Sequence, residues 1–215
     1  MDGSRTRLRG RAHTTGHTSH HGGLGGVASL TVRVIAAGRT GPNRDLRFGS
    51  EHHDLDETGR RDCRRLVESS VGSPPDGVAL CGPEASVVQT ADVLGVDARV
   101  DTDLSTLDLG RWRGRAPEDI PVGELRDWFT DIASVPHGGE SIADFVARIG
   151  DWIDRTRTPE MILVVSMPVA QAVLAYTRHG GPDDYWAIEV EPASEHTVFL
   201  PLDSGEDRCH SDTQK

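Results

Sequence analysis

Lysine is all but missing from this chain of 215 residues: Lys215 is the single one, and positive charge rests on arginine. Lys and Arg together number 23 against 34 Asp and Glu, for a formal net charge of −11. Residues 1–29 set Asp2 against Arg5, Arg7, Arg9 and Arg11, so the rest of the chain is more acidic than that total indicates. Nucleic acid and anionic membrane surfaces are bound through clustered cations, so neither is expected as a partner. Cysteine is scarce too. Cys63, Cys81 and Cys209 are too few and too scattered for a disulfide framework or a zinc site, which sets the expectation of a reducing cytosol. No apolar run approaches a membrane span, and the N-terminus lacks the apolar core of a secretory signal.

What is present falls into three parts. Residues 1–29 are rich in Gly, Thr, Ser, His and Arg and have no apolar periodicity, so they cannot offset their ordering entropy and read as a disordered leader. His13, His17, His20 and His21 lie there without cysteine or acidic companions, so no resident metal and no cofactor are expected. Residues 30–202 are expected to form one domain, and 203–215 a polar, frayed tail.

Within 30–202, apolar periods of strand and helix type alternate. Leu30 to Ile35 reads as a strand, Glu57 to Val67 as a helix, Val78 to Cys81 as a short strand, and Glu84 to Leu94 as a helix stopped by Gly95. From Ser141 to Ile153, the residues Ile142, Phe145, Val146, Ile149, Trp152 and Ile153 share one helical face, with Ser141 and Asp144 at capping-box spacing. Met161 to Val165 is uninterrupted and apolar, as a buried parallel strand requires, and a helix over Val169 to Tyr176 follows it. Trp186 to Val190 and His196 to Leu200 are expected as two more strands. The alternation predicts an α/β fold of three layers, a mostly parallel sheet with helices on both faces, whose ligands sit outside the carboxyl ends of its strands.

Five segments in order carry a resemblance. Gly38-Arg39-Thr40 with Asn43 follows the first strand, and Leu55-Asp56-Glu57-Thr58-Gly59 opens the first helix. Pro83 then precedes Gln89-Thr90-Ala91, Asp108-Leu109-Gly110-Arg111-Trp112-Arg113-Gly114 comes next, and Gly138-Gly139-Glu140-Ser141 opens the amphipathic helix. Together they resemble the histidine phosphatase superfamily, in its phosphoglycerate mutase and α-ribazole phosphatase-like branch, from about Leu30 to Leu200. The resemblance implies a phosphoglycerate mutase-like fold and a site built from a nucleophilic histidine, an acid that protonates the leaving oxygen, two arginines and a second histidine.

None of those five positions carries the residue that the resemblance implies. The first arginine and the nucleophile correspond to Ala36 and Ala37, the second arginine to Ser86, the acid to Thr106 and the second histidine to Met167. Losing that many charged contacts, each worth roughly 1.5 to 3 kcal/mol, dismantles a dianion site. Arg178-His179-Gly180 spells the family's Arg-His-Gly, but it follows a helix, where Arg, His and Gly are ordinary C-terminal residues.

The ligand-binding residues expected at the strand ends are Arg39, Thr40, Asn43, Glu84, Ser86, Thr106, Ser166 and Met167, a lining suited to small neutral or cationic molecules. His137 is placed near the mouth, where it either forms an acid/base pair with Glu84, Asp108 or Glu140, or is a solvated loop residue beside turn and capping carboxylates. The second reading is favoured. Cys81 reads as a buried, inert thiol, Trp112, Trp128 and Trp152 as packing, and His52 and His53 as exposed.

Three functions compete: a pseudoenzyme that binds a small molecule or a protein partner, an enzyme of specialised metabolism that reuses the cleft for proton-transfer, lyase, isomerase or cyclase chemistry, and a phosphomonoesterase with atypical residues. The third ranks last, because no nucleophile occupies the histidine position.

Overall fold

The computed structural model describes residues 29–49, 52–69, 77–179 and 181–201, with Asn43, Arg44, Ser69 and His179 described by backbone alone. The leader expected over 1–29 lies outside them except for Ser29, and the tail over 203–215 lies outside them entirely.

Five strands make one sheet: β1 (Ser29–Ala36), β2 (Val78–Cys81), β3 (Arg99–Val100), β4 (Glu160–Val165) and β5 (Glu195–Pro201), in the order β3-β2-β4-β1-β5. All neighbours are parallel except β1 and β5, so the fold is α/β with a mixed, mostly parallel sheet. β4 sits at the centre because its side chains are apolar on both faces, from Met161 to Val165, and all of them are buried.

The described residues form six α-helices: α1 (Gly41–Arg44), α2 (Glu57–Ser69), α3 (Ala85–Leu94), α4 (Val122–Thr130), α5 (Ile142–Arg155) and α6 (Met167–Leu174). Strand alternation sends Val32, Val34 and Ala36 to the core shared with α5 and α6, and Ile35 and Ala37 to the core shared with α2 and α3. Helices therefore lie on both faces.

Local chemistry fixes the helix ends. Gly95 closes α3 at φ 68°, a left-handed conformation that glycine adopts without strain. Ser141 opens α5, its Oγ accepting from the Asp144 amide at 3.0 Å and donating to Asp144 Oδ2 at 2.7 Å. Asp144 thus bonds the cap hydroxyl, where the glutamate of a full capping box reaches the cap's amide.

One expected strand is absent. Trp186 to Val190 opens within a 3₁₀ turn, Tyr185–Ala187, and joins no ladder. β5 already occupies the edge of β1, and Trp186 is drawn into an aromatic cluster with Trp128 at 4.5 Å and Phe129 at 4.8 Å. The carbonyl of Ile188 is met by Gln171 of α6 at 2.7 Å instead of by a neighbouring strand. α4 and the two-residue β3 are elements that periodicity did not mark.

Candidate functional site

β1, β2 and β4 all end on one side of the sheet, and the residues just past those ends enclose two connected hollows. The deeper chamber, about 130 Å³, is walled by Ala37, Gly38 and Thr40 after β1, Glu84 and Ser86 after β2, Thr106, Leu107 and Leu109 from the long connection, and Ser166, Met167 and Pro168 after β4. The outer basin, about 780 Å³, shares Glu84, Thr106 and Leu107 with it and adds Asp108, Glu140, Asp144 and Arg148. Six of the eight expected ligand-binding residues are therefore brought together.

Hydrogen bonds at the strand ends set the chamber's shape. The Ala37 amide donates to the Val165 carbonyl at 2.8 Å, continuing the β1–β4 ladder to the rim. The Gly38 amide donates to Thr90 Oγ1 at 3.1 Å, and that hydroxyl donates to the Ser86 carbonyl at 2.7 Å, tying the first loop to α3. Ser166 caps α6 through the Val169 amide and donates to Thr106 Oγ1 at 2.9 Å, which draws the long connection onto the end of β4. Pro168 has no amide hydrogen, so the first turn of α6 offers an anion one donor fewer.

Glu84 stands where the two hollows meet. It is the residue before α3, 3 % exposed, and its Oε1 accepts from the Thr106 amide. Space for the carboxylate depends on Gly82, since a Cβ there would lie 2.6 Å from Glu84 Oε2. At the start of a helix a negative charge is favoured by the backbone dipole. Burial pushes the Cys81 thiol up, and the Glu84 charge pushes it further, and at 1 % exposed the side chain is buried as expected.

Two expected site residues lie elsewhere. The Arg39 guanidinium is turned out of the chamber, its Nε donating to Asp56 Oδ2 at 2.8 Å. Burial alone would raise the Asp56 carboxyl, but the Gly59 amide and Arg39 outweigh it and hold that carboxyl below its usual range. His137 lies neither at the mouth nor in solvent. It is 1 % exposed and packs edge-on against Trp112 at 5.0 Å and Trp128 at 5.8 Å, with Nδ1 accepting from the Gly139 amide at 3.0 Å. Burial lowers its pKa and Arg111 adds to this, outweighing the opposing charge of Asp108, so the ring is held neutral.

The carboxylates of the outer basin are already engaged. Glu140 takes Arg148 in a forked pair, at 2.8 Å to Nε and 3.0 Å to Nη2. Arg148 also donates to the carbonyls of Asp103 and Ser105, which makes it a clamp on the long connection. Asp108 accepts from the Gly110 amide at 2.8 Å and from Arg113 at 2.6 Å, the turn role expected for it. Arg148 was not anticipated, although its place one helical turn after Asp144 and two after Glu140 was a usable signal. His52 is exposed at the basin's rim, whereas His53 is half-buried.

Ala36 is fully buried at the end of β1 and does not face the chamber. The side chain of Asn43 lies outside the described residues. Arg178 is exposed in a π-helical turn, Ala175–His179, after α6, a helix that begins at the chamber and carries the chain about 12 Å away over its length. The His179 side chain and Gly180 lie outside the described residues.

Sheet order, strand-end hollows and the ordered motifs are those of one family. The chain belongs to the histidine phosphatase superfamily (branch 1), whose model matches residues 34–207. Among solved structures it is similar to TTHB049 from Thermus thermophilus, at TM-score 0.65 and 22% identity over 80% of this chain and 100% of that one. It is also similar to the mycobacterial glucosyl-3-phosphoglycerate phosphatase solved with VO3, at TM-score 0.68 and 24% identity over 78% of this chain and 92% of the other. At such identities the likeness is one of fold, on which many functions are built. No curated protein matches the chain in sequence.

Proposed function

We propose that this chain is a pseudoenzyme of the histidine phosphatase superfamily, which carries out no phosphoryl transfer and binds a small neutral or cationic metabolite in the strand-end chamber. The observation that carries the reading is the chamber's wall, where Ala37, Ser86, Thr106 and Met167 stand at the positions that the sequence resemblance gives to the nucleophile, an arginine, the acid and the second histidine. Among the described residues, hydroxyls and the Glu84 carboxylate form the polar part of that wall, and none is Arg, Lys or His. A phosphoryl group passing through its transition state needs donors and cations aimed at its equatorial oxygens, and the described part of this wall holds hydroxyls and a carboxylate.

Binding is favoured over a repurposed catalytic role because His137, the imidazole that proton transfer would use, is packed among tryptophans away from the chamber. We place the protein in the cytosol, a reading supported by two buried free thiols, Cys63 and Cys81. Among the described residues no helix is long and apolar enough to cross a membrane.

The test is phosphate release from a broad panel of phosphomonoesters at high protein concentration, alongside a variant with Arg178→Ala and His179→Ala. No release above blank is expected from either protein. Release by the wild type overturns the reading. Its loss in the variant would trace the activity to the displaced Arg-His-Gly, and its survival there to another residue.

A further inference from the structure

We propose that His137 is an acid-released latch on the wall of the outer basin: the neutral ring holds the Gly139 amide, and a proton on Nδ1 frees the turn Gly138–Glu140 and with it the Glu140–Arg148 clamp. The device is a property of the wall itself and stands whatever the adjoining chamber binds.

The latch is one hydrogen bond in a place that does not accept its reverse. Nδ1 of His137 accepts from the Gly139 amide at 3.0 Å, which puts the proton of the neutral ring on Nε2. A second proton, on Nδ1, turns that acceptor into a donor, so two N–H groups would face each other. The cluster offers the charged ring no relief: it is 1 % exposed, set edge-on against Trp112 and Trp128, and Nε2 meets no acceptor among the described residues. A buried charge with unmet donors is far costlier than the same charge in water, so protonation and departure from the cluster go together. Burial disfavours the proton most; Asp108 favours it, and Arg111, itself paired with Glu124 of α4 at 2.8 Å, opposes it.

What the latch holds is the basin. The Gly139 and Glu140 amides are adjacent donors, one met by the imidazole and the other by the Asp108 carbonyl at 2.9 Å. Gly138 and Gly139 carry no side chain, so backbone torsions change most easily here once one of those bonds is lost. The Arg111 amide on the His137 carbonyl, at 3.1 Å, and the α5 cap at Ser141 bound the moving part on either side. Glu140 lies between them and takes Arg148 in its forked pair, while Arg148 reaches the Asp103 and Ser105 carbonyls. Gly139, Glu140, Ser105 and Arg148 all line the basin, so a turn of the Gly139 peptide reshapes its wall.

The experiment is an NMR titration of the full chain from about pH 7.5 to about pH 5, following the His137 ring, the Gly139 amide and the Arg148 Nε–H, with the amides of β4 reporting the global fold. The three probes are expected to move together in one reversible transition centred below about pH 6.5, the ordinary histidine value, while the β4 amides stay in place. His137→Asn sets an amide oxygen in the place of Nδ1, so it should keep the Gly139 amide bonded and lose the transition. A ring that titrates without moving Gly139 overturns the latch, and so do Gly139 and Arg148 signals that hold until β4 itself unfolds or that do not move by about pH 5. A transition that survives in His137→Asn also overturns it and would trace the change to another group, such as His52 at the rim. Should that variant not fold, the wild-type titration decides by itself.

Discussion

Two neighbouring regions of this molecule are built on opposite terms. Where Asp108–Gly110 meets His137–Glu140, backbone packs directly on backbone: a Cβ on Gly139 would overlap the Asp108 carbonyl oxygen, and one on Gly110 would overlap the His137 carbonyl. Gly110 also sits at φ 45°, which strains any other residue. A few residues away, Ala37, Ser86, Thr106 and Met167 border open space. The segments that carry the family resemblance belong largely to the first kind. Gln89, for example, bonds the Leu55 amide at 3.0 Å and Asp54 at 2.6 Å, and Thr90 anchors Gly38, so their work is to hold loops. The steric motifs are demanded by backbone packing, whereas the chamber residues face open space.

That contrast can be broken by substitution. Gly139→Ala should have the largest effect, a loss of about 3 kcal/mol in urea unfolding, because two backbones must part to admit one methyl group. A loss below about 1 kcal/mol would show that the turn gives way and that the steric account is wrong.

The next effect is one of pH. His137 and His196 are both held below the ordinary histidine value, chiefly by burial, so the unfolded chain binds protons that the folded chain refuses. Their contribution to stability is complete above about pH 6.5 and is lost as pH falls towards their folded values, with a slope of at most about 1.4 kcal/mol per pH unit for each group. His137→Phe should flatten the acid side of the stability profile in chemical unfolding measured between about pH 5 and 7, and an unchanged slope would mean that the imidazole is already charged in the fold.

Smaller again is Ser166→Ala, which removes the cap of α6 and the bond to Thr106 and should cost about 1 kcal/mol, read from thermal unfolding. Arg113→Ala breaks an ion pair whose partners are 43% and 50% exposed, and should change stability by less than about 0.5 kcal/mol. A larger loss there would place the Asp108 turn among the rigid parts of the scaffold.

Elements with a strong internal period are legible in the sequence. β4 is apolar throughout, α5 keeps one apolar face, and Gly95 and Ser141 mark helix ends through their own backbone chemistry. Trp186 to Val190 is misread as a strand because an apolar stretch reports burial but not the partner, and here the partner is an aromatic cluster. In the site, Thr40, Glu84 and Ser166 are legible from their places after strands, and Ser86, Thr106 and Met167 from the positions that the family resemblance marks. Arg39 and His137 are not, because the direction of a side chain depends on neighbours distant in sequence, Asp56 for one and Trp128 for the other.

The sequence by itself determined the α/β alternation, the family and the residue types at the strand ends, since each depends on local periodicity or on short motifs of fixed spacing. Only the tertiary structure decided which of those residues share a wall. It set Glu84 at the junction of the two hollows and withdrew Arg39 to Asp56 and His137 into aromatic packing. A side chain's final place is set by competition among partners that folding brings together, and that competition is not written in any one segment of the chain.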